Sequence, residues 1–369
     1  MIRQVGSLGC RMSTSVSGSS RPPDLGRKTT FRCTNGSNIF TKAWGQPSSS
    51  RKALALHGYL DNTGSFDLLG PALAKEGFEV VAMDFPGHGR SDHMSKDAWY
   101  SILEYPEYVI EVARSLGWEN FSLVGHSMGG AVSSLLAASF PEVVERCVFL
   151  DILGPFTFSP GTSPKRLRNS IASRRTLLTK EPKPYASFDE AVRARLKSVT
   201  AWGEGQTMSW NGAARLVNGG TIPWGDRGQV KFTNDIRATG STETTRHEPV
   251  STCLGPTLSE PQGVVYSKLR RLRASSSSYL TEDSVLRYLR AIESDCLLIR
   301  GETGMLANAE AVPAFVARKE ACGERLRDII LPGSHHFHLD DETAPLVASH
   351  ASAFLLDRDQ QSLQATPSL

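Results

Sequence analysis

Five consecutive residues, Gly125-His126-Ser127-Met128-Gly129, carry the clearest chemical potential in this sequence. They fit the pattern G-x-S-x-G. An apolar run, Phe121-Ser122-Leu123-Val124, precedes them and reads as a buried strand. The run Ala131-Val132-Ser133-Ser134-Leu135-Leu136-Ala137-Ala138 follows and reads as a helix packed on a sheet. A serine at a sharp strand-to-helix turn is forced into a strained backbone conformation and presents its hydroxyl outward. The bland reading is a Gly-rich turn with a surface serine, and the pentapeptide alone leaves it standing. A serine hydroxyl is a weak nucleophile near neutral pH, so the chemistry needs a base, and histidine titrates closest to the working range. The sequence has nine histidines, three of them in Ser334-His335-His336-Phe337-His338.

The elements that would position these groups alternate. Strand-like runs are expected at Ser37–Trp44, Lys52–Leu56, Phe78–Met83, Phe121–Gly125, Arg146–Leu150, Cys296–Arg300 and Leu326–Leu331. Helical spacing is expected at Ser65–Glu76, at Trp99–Leu116 with Pro106 weakening or kinking it, at Asn308–Lys319 and from Glu342 to Leu356. Strands alternating with helices imply an α/β fold, a mostly parallel sheet covered by helices on both faces. In such sheets the reactive groups collect at the carboxyl ends of strands. His57, Asp84, Ser127, Asp151 and Glu302 all lie at or just past such ends.

The alternation breaks over residues 156–292. Ser163–Lys180 is basic and serine-rich, Ser187–Val199 and Ser209–Leu216 have helical spacing, and Thr281–Ala291 is a helix with Thr281 as its cap. Residues 227–262 are polar, rich in Gly, Thr, Ser and Pro, and without period; they read as a flexible insertion. The expected organisation is therefore a core of 33–155 and 293–358, a cap over 156–292 and a flexible tail at 359–369. Residues 1–32 carry Arg3, Arg11, Arg21, Arg27, Lys28 and Arg32 against Asp24 alone and read as a disordered or targeting segment.

Composition narrows the function classes. The chain has 369 residues, 40% hydrophobic and 21% charged, with a formal net charge of +3. No basic field points to nucleic acid, and no apolar run reaches the roughly 18 residues that span a bilayer. The six cysteines form no C-x-x-C and no metal-like spacing, and a P-loop is missing, so neither a metal nor an organic cofactor is implied. Scattered thiols fit a reducing, intracellular setting: cytoplasmic, mitochondrial if residues 1–32 are a transit peptide, with a peroxisomal one left open. The oligomeric state is left open as well.

Four ordered motifs then carry a resemblance. They are Leu56-His57-Gly58-Tyr59-Leu60-Asp61-Asn62 with Ser65-Phe66-Asp67, Met83-Asp84-Phe85-Pro86-Gly87-His88-Gly89-Arg90-Ser91, Gly125-His126-Ser127-Met128-Gly129-Gly130, and Gly333-Ser334-His335-His336-Phe337-His338-Leu339. With them the chain resembles the α/β-hydrolase superfamily, most closely its serine-hydrolase-like branch, over roughly residues 37–226 and 263–356. The resemblance implies an α/β-hydrolase fold with an inserted, mainly helical cap, and Ser127 as nucleophile. It implies His335 as base, following a small residue and preceding Asp340 and a last helix, with His336 and His338 as the other candidates. The implied chain order, serine, acid, histidine, is met by Asp151 and by Glu302. The common position for the acid falls near Gly304, where this chain has no carboxylate; Asp151 is favoured, with Glu302 the alternative. The backbone N–H groups of Met128 and, by resemblance, Tyr59 would form the oxyanion hole. The implied activity is that of a serine hydrolase cleaving a carboxylic ester, thioester or lactone through an acyl-enzyme, on a small acyl substrate expected to be apolar. The alternative is a catalytically weak hydrolase-fold protein that serves as a binding module.

Overall fold

A computed structural model describes residues 26–95, 98–177, 184–200, 203, 205–235, 280–307 and 312–356. Eight strands form one sheet: β1 (Arg27–Arg32), β2 (Asn38–Trp44), β3 (Arg51–Leu56), β4 (Phe78–Met83), β5 (Phe121–His126), β6 (Val144–Leu150), β9 (Asp295–Gly301) and β10 (Leu326–Leu331). Their spatial order is β1-β2-β4-β3-β5-β6-β9-β10. The pairs β1–β2 and β2–β4 are antiparallel and every other pair is parallel.

Parallel strands covered on both faces read as continuous apolar runs, and their alternate residues feed two cores. Leu54, Leu56, Leu123, Cys147, Phe149 and Leu298 face one layer. There they meet α2 (Tyr105–Ser115), α3 (Met128–Ser139), α7 (Glu282–Ala291) and α8 (Val312–Cys322) through Val109, Val132, Val285 and Phe315. Ala53, Ala55, Val124, Val148, Leu297 and Ile299 face the other layer, against α1 (Leu69–Lys75) and α9 (Ala344–Leu355).

The region between β6 and β9 holds α4 (Ser163–Leu177), α5 (Phe188–Thr200), α6 (Trp210–Gly220) and a hairpin of β7 (Thr221–Trp224) and β8 (Gln229–Phe232). Val192, Val199, Met208, Ala213, Leu216 and Val230 make a small separate core that also takes in Leu339 from beyond β10. A bridge between Thr157 and Leu280 joins the two ends of this region.

Three expectations change, and one stretch left without a structure gains one. Residues 27–32 are an edge strand, not part of a disordered leader; a cationic strand exposed along most of its length has no apolar alternation to betray it. The supposed insertion from 227 starts too early, since Gln229–Phe232 is strand and Thr233 to Asp235 are bonded to the core; residues 236–262 lie outside the described ones. The basic stretch from Ser163 is helical to Leu177. Pro106 opens α2 in its first turn, where no N–H is needed, instead of kinking it. The N-cap expected at Thr281 is present: its side chain accepts from the Ser284 N–H at 3.2 Å.

Candidate active site

The carboxyl ends of the parallel strands form one line. Leu56 is level with Met83 and Gly125, His126 with Leu150, Leu150 with Ile299, and Gly301 with Leu331. The ladder runs on past the strands. The Ser127 N–H donates to the Leu150 carbonyl at 3.1 Å, the Asp151 N–H to Ile299 at 2.8 Å and the Glu302 N–H to Leu331 at 2.9 Å. Three residues far apart in sequence thus stand in a row where β5, β6 and β9 stop.

Ser127 joins β5 to α3 with φ 50° and ψ −115°, a conformation costing an L-residue about 1–3 kcal/mol. Packing holds it there. A Cβ on Gly129 would come 1.9 Å from the Leu56 carbonyl oxygen, so only glycine lets α3 start this close to β3. Met128 is the first residue of α3, so its N–H belongs to the turn whose donors have no partner within the helix, at the positive end of the helix dipole.

Asp151 follows β6 with φ 54°, a left-handed conformation that aspartate tolerates better than most residues. Its Oδ2 lies 2.7 Å from His335 Nδ1 and accepts the Met305 N–H at 2.6 Å, while Oδ1 accepts the Gly301 N–H at 3.3 Å. The carboxylate therefore sits in a cradle of amides from the loop after β9. A Cβ on Gly304 would lie 2.1 Å from Asp151 Oδ1. The acid on β6 occupies the space that a side chain at 304 would need, which accounts for the missing carboxylate there. Glu302 is exposed, with its main chain bonded to Leu331.

His335 is 1% exposed. Its N–H donates to Gln206 Oε1 at 3.1 Å and its carbonyl oxygen is 3.0 Å from His126 Nε2. A carbonyl only accepts, so His126 carries its proton on Nε2. Behind this contact lie His336 and His338, both buried, with ring centroids 5.2 and 4.0 Å from that of His126. Burial drives both imidazoles well below their ordinary pKa, toward the neutral form. Burial also lowers His126, against the opposing pull of Asp61, whose Oδ2 is 3.4 Å from His126 Nδ1. Asp61 is itself buried and bonded to Arg195 of α5. Burial would raise its carboxyl, but the Arg195 charge and the surrounding imidazoles outweigh that and hold it well below 3.8.

The loop after β3 is fixed from the neighbouring strand. His57 Nδ1–H donates to the Gly58 carbonyl at 2.7 Å, leaving Nε2 to accept the Phe85 N–H at 3.0 Å. Both bonds require the neutral ring, and burial takes its pKa down to about 3. Asp84 accepts the N–H groups of Thr63 at 2.6 Å and Arg90 at 2.7 Å, although burial raises its carboxyl to about 6. Leu60 takes φ 64° in this loop. Tyr59 in the same loop is half-buried, with its ring centroid 6.2 Å from that of His88.

The structure thus brings Asp151 and His335 into contact beside the Ser127 turn, and leaves Glu302 on the surface. Sequence reasoning missed Gln206, and it missed the pairing of Asp61 with Arg195. Asp61 stood inside a quoted motif, but its partner lies on α5, between β6 and β9, without any motif. Among the described residues no group of three or more His, Cys, Asp or Glu side chains is arranged to hold a metal ion, and no helix is long and apolar enough to cross a membrane.

Comparison with known proteins agrees with this fold. The family model for the alpha/beta hydrolase fold matches residues 54–207. A serine hydrolase-like protein of Dictyostelium discoideum is 30% identical over 326 residues, 86% of this chain and 79% of that one. A Drosophila melanogaster protein named probable serine hydrolase is 29% identical over 324 residues, 86% and 84% of the two chains. The crystal structure of a hypothetical protein from Pseudomonas aeruginosa superposes with a TM-score of 0.71 at 30% identity, covering 90% of this chain and 99% of that one.

Proposed function

This chain belongs to the α/β-hydrolase superfamily, in its serine-hydrolase-like branch, and from that premise we propose that it is a serine hydrolase cleaving a carboxylic ester, thioester or lactone through an acyl-enzyme. The observation that carries the reading is the 2.7 Å contact between His335 Nδ1 and the buried carboxylate of Asp151, next to the strained Ser127. Asp151 keeps the proton on Nδ1 and leaves Nε2 as the base.

In this reading Ser127 Oγ attacks the substrate carbonyl while His335 Nε2 takes its proton. The negative charge that develops on the carbonyl oxygen is met by the N–H groups of Met128 and Tyr59. Collapse expels the alcohol or thiol, which takes the proton back from the His335 imidazolium. The acyl group stays on Ser127 Oγ. A water, deprotonated by His335 Nε2, then attacks the acyl carbonyl, and collapse releases the acid as Ser127 Oγ takes that proton back from the imidazolium. Asp151 stabilises the imidazolium in both halves without taking the proton itself. Residues 156–292 act as the cap that shapes the acyl pocket, and the substrate is a small molecule carrying an apolar acyl group.

Fluorophosphonate labelling with peptide mapping tests the proposal. Labelled Ser127 in the parent and unlabelled Ser127→Ala are expected. A well-folded parent whose Ser127 does not label refutes the reading in favour of a hydrolase-fold binding protein. A panel of p-nitrophenyl esters of graded acyl length then reads the pocket.

A further inference from the structure

The peptide groups of His335 are held at both ends by side chains from elsewhere in the fold. Its N–H donates to Gln206 Oε1 at 3.1 Å, and its carbonyl accepts from His126 Nε2 at 3.0 Å. The Gln206 amide donates in turn to the Thr303 carbonyl at 2.6 Å. An N–H needs the amide oxygen and a carbonyl needs the amide NH2, so these two partners fix the orientation of the Gln206 amide. The next residue repeats the attachment: Ser334 Oγ donates to the Thr207 carbonyl at 2.6 Å and accepts the Thr207 N–H at 3.3 Å. Gln206, Ser334, His335 and His126 are all buried.

An imidazole that must reach both a carboxylate and a hydroxyl tolerates little displacement, and the loop carrying it has lost its strand partners. Asp151 orients the ring of His335, but a hydrogen bond to Nδ1 leaves the main chain free to rock about that contact. Two bonds to the flanking peptide groups remove that freedom. We propose that Gln206 and His126 are positioning residues for His335, and that the 206–207 segment of the cap region is a fixed brace for the base rather than a mobile cover.

The inference rests on the proposed role of His335 as base, and its test includes a readout that does not depend on turnover. The His335 Nδ1 proton shared with Asp151 should give a low-field proton NMR resonance, assigned by its upfield shift or loss in Asp151→Asn. In Gln206→Met, which keeps volume but neither accepts nor donates, this resonance should shift or broaden. Against p-nitrophenyl acetate kcat should fall about 10-fold or more with KM within about twofold. His126→Gln retains an amide N–H for the His335 carbonyl and should behave nearly as the parent, whereas His126→Phe should behave as Gln206→Met. Folded Gln206→Met and His126→Phe proteins with the parent resonance and parent kcat would overturn the proposal. A parent that neither labels nor hydrolyses would overturn the hydrolase reading alone, and the resonance would still decide whether the brace exists.

Discussion

Replacing Asp151 by Asn tests the proposed chemistry most directly, because the backbone hardly notices it. Asp151 sits at φ 54°, and asparagine is the side-chain-bearing residue most at home there. The electrostatic change is large in either amide orientation. With the amide oxygen in place of Oδ2, it accepts from Met305 at 2.6 Å and from His335 at 2.7 Å as before, but no charge faces the imidazolium and the NH2 meets the Gly301 N–H at 3.3 Å. With the groups exchanged, the NH2 meets the Met305 N–H at 2.6 Å and donates to His335 Nδ1. The ring proton then moves to Nε2, where it blocks the base. A wrong tautomer behind a serine nucleophile costs about 10^4-fold in kcat, or about 5.5 kcal/mol of barrier. We therefore expect kcat for p-nitrophenyl acetate to fall by about 10^3- to 10^4-fold in Asp151→Asn, with little change in melting temperature. Glu302→Gln, on an exposed side chain, should stay within about twofold of the parent. An Asp151→Asn protein retaining more than about a tenth of parental kcat, or a Glu302→Gln protein losing as much, would refute the assignment of the acid.

Ser127→Gly should unfold at higher urea, by about 1 kcal/mol net of the extra chain entropy, because it relieves φ 50°, and it should abolish labelling; an unchanged or lower midpoint would show that the turn is not strained. Stability should fall with acid as the buried neutral histidines resist protonation. His57 and His88 titrate at about 3 and about 4 in the fold against 6.5 unfolded, so from pH 6.5 downward the unfolded chain takes up protons that the fold refuses. Each removes up to about 1.4 kcal/mol per pH unit until its folded pKa is reached. Asp84, raised to about 6, has the opposite sign between its ordinary 3.8 and 6, where lowering the pH favours the fold, and so offsets about one of these histidines, while the buried His126, His336 and His338, also held below their ordinary range, add to the loss. Urea titrations at pH 7, 6, 5 and 4 would show it, and a flat profile would contradict it. Removing half of a buried ion pair costs more than removing both halves, so Arg195→Met alone should destabilise by about 3–5 kcal/mol and Asp61→Asn/Arg195→Met by less than the sum of the singles, measured by a double-mutant cycle.

The parts of the molecule legible in the sequence are those where local physics suffices. The inner strands are buried throughout and mostly apolar because both faces are covered, and the turn at Ser127 announces itself by the glycines its close packing demands. Residues that act through distant partners left no such trace. Strand β1 consists of Arg27-Lys28-Thr29-Thr30-Phe31-Arg32, and only its register with β2 tells it apart from the cationic sequence before it. Helix α4 leaves Leu167 and Ile171 exposed, so no buried stripe marks its period. Gln206 owes its importance to the backbones of His335 and Thr303, and a backbone partner imposes no residue type that a sequence could show.

The position of the acid follows from the same geometry. β6 and β9 are neighbours, and the loop after β9 turns back over the end of β6, so carboxylates carried by either would converge on one volume near His335 Nδ1. Two cannot fit, since the Cβ of a residue at 304 would already overlap Asp151 Oδ1. Once the carboxylate stands on β6, the loop after β9 becomes its support, giving the N–H groups of Gly301 and Met305, and glycine is what position 304 can hold. The gap in the motif and the presence of Asp151 are then a single feature. A chain that carries this carboxylate just after β6 must keep its later loop free of a side chain at 304, and this one has Gly304.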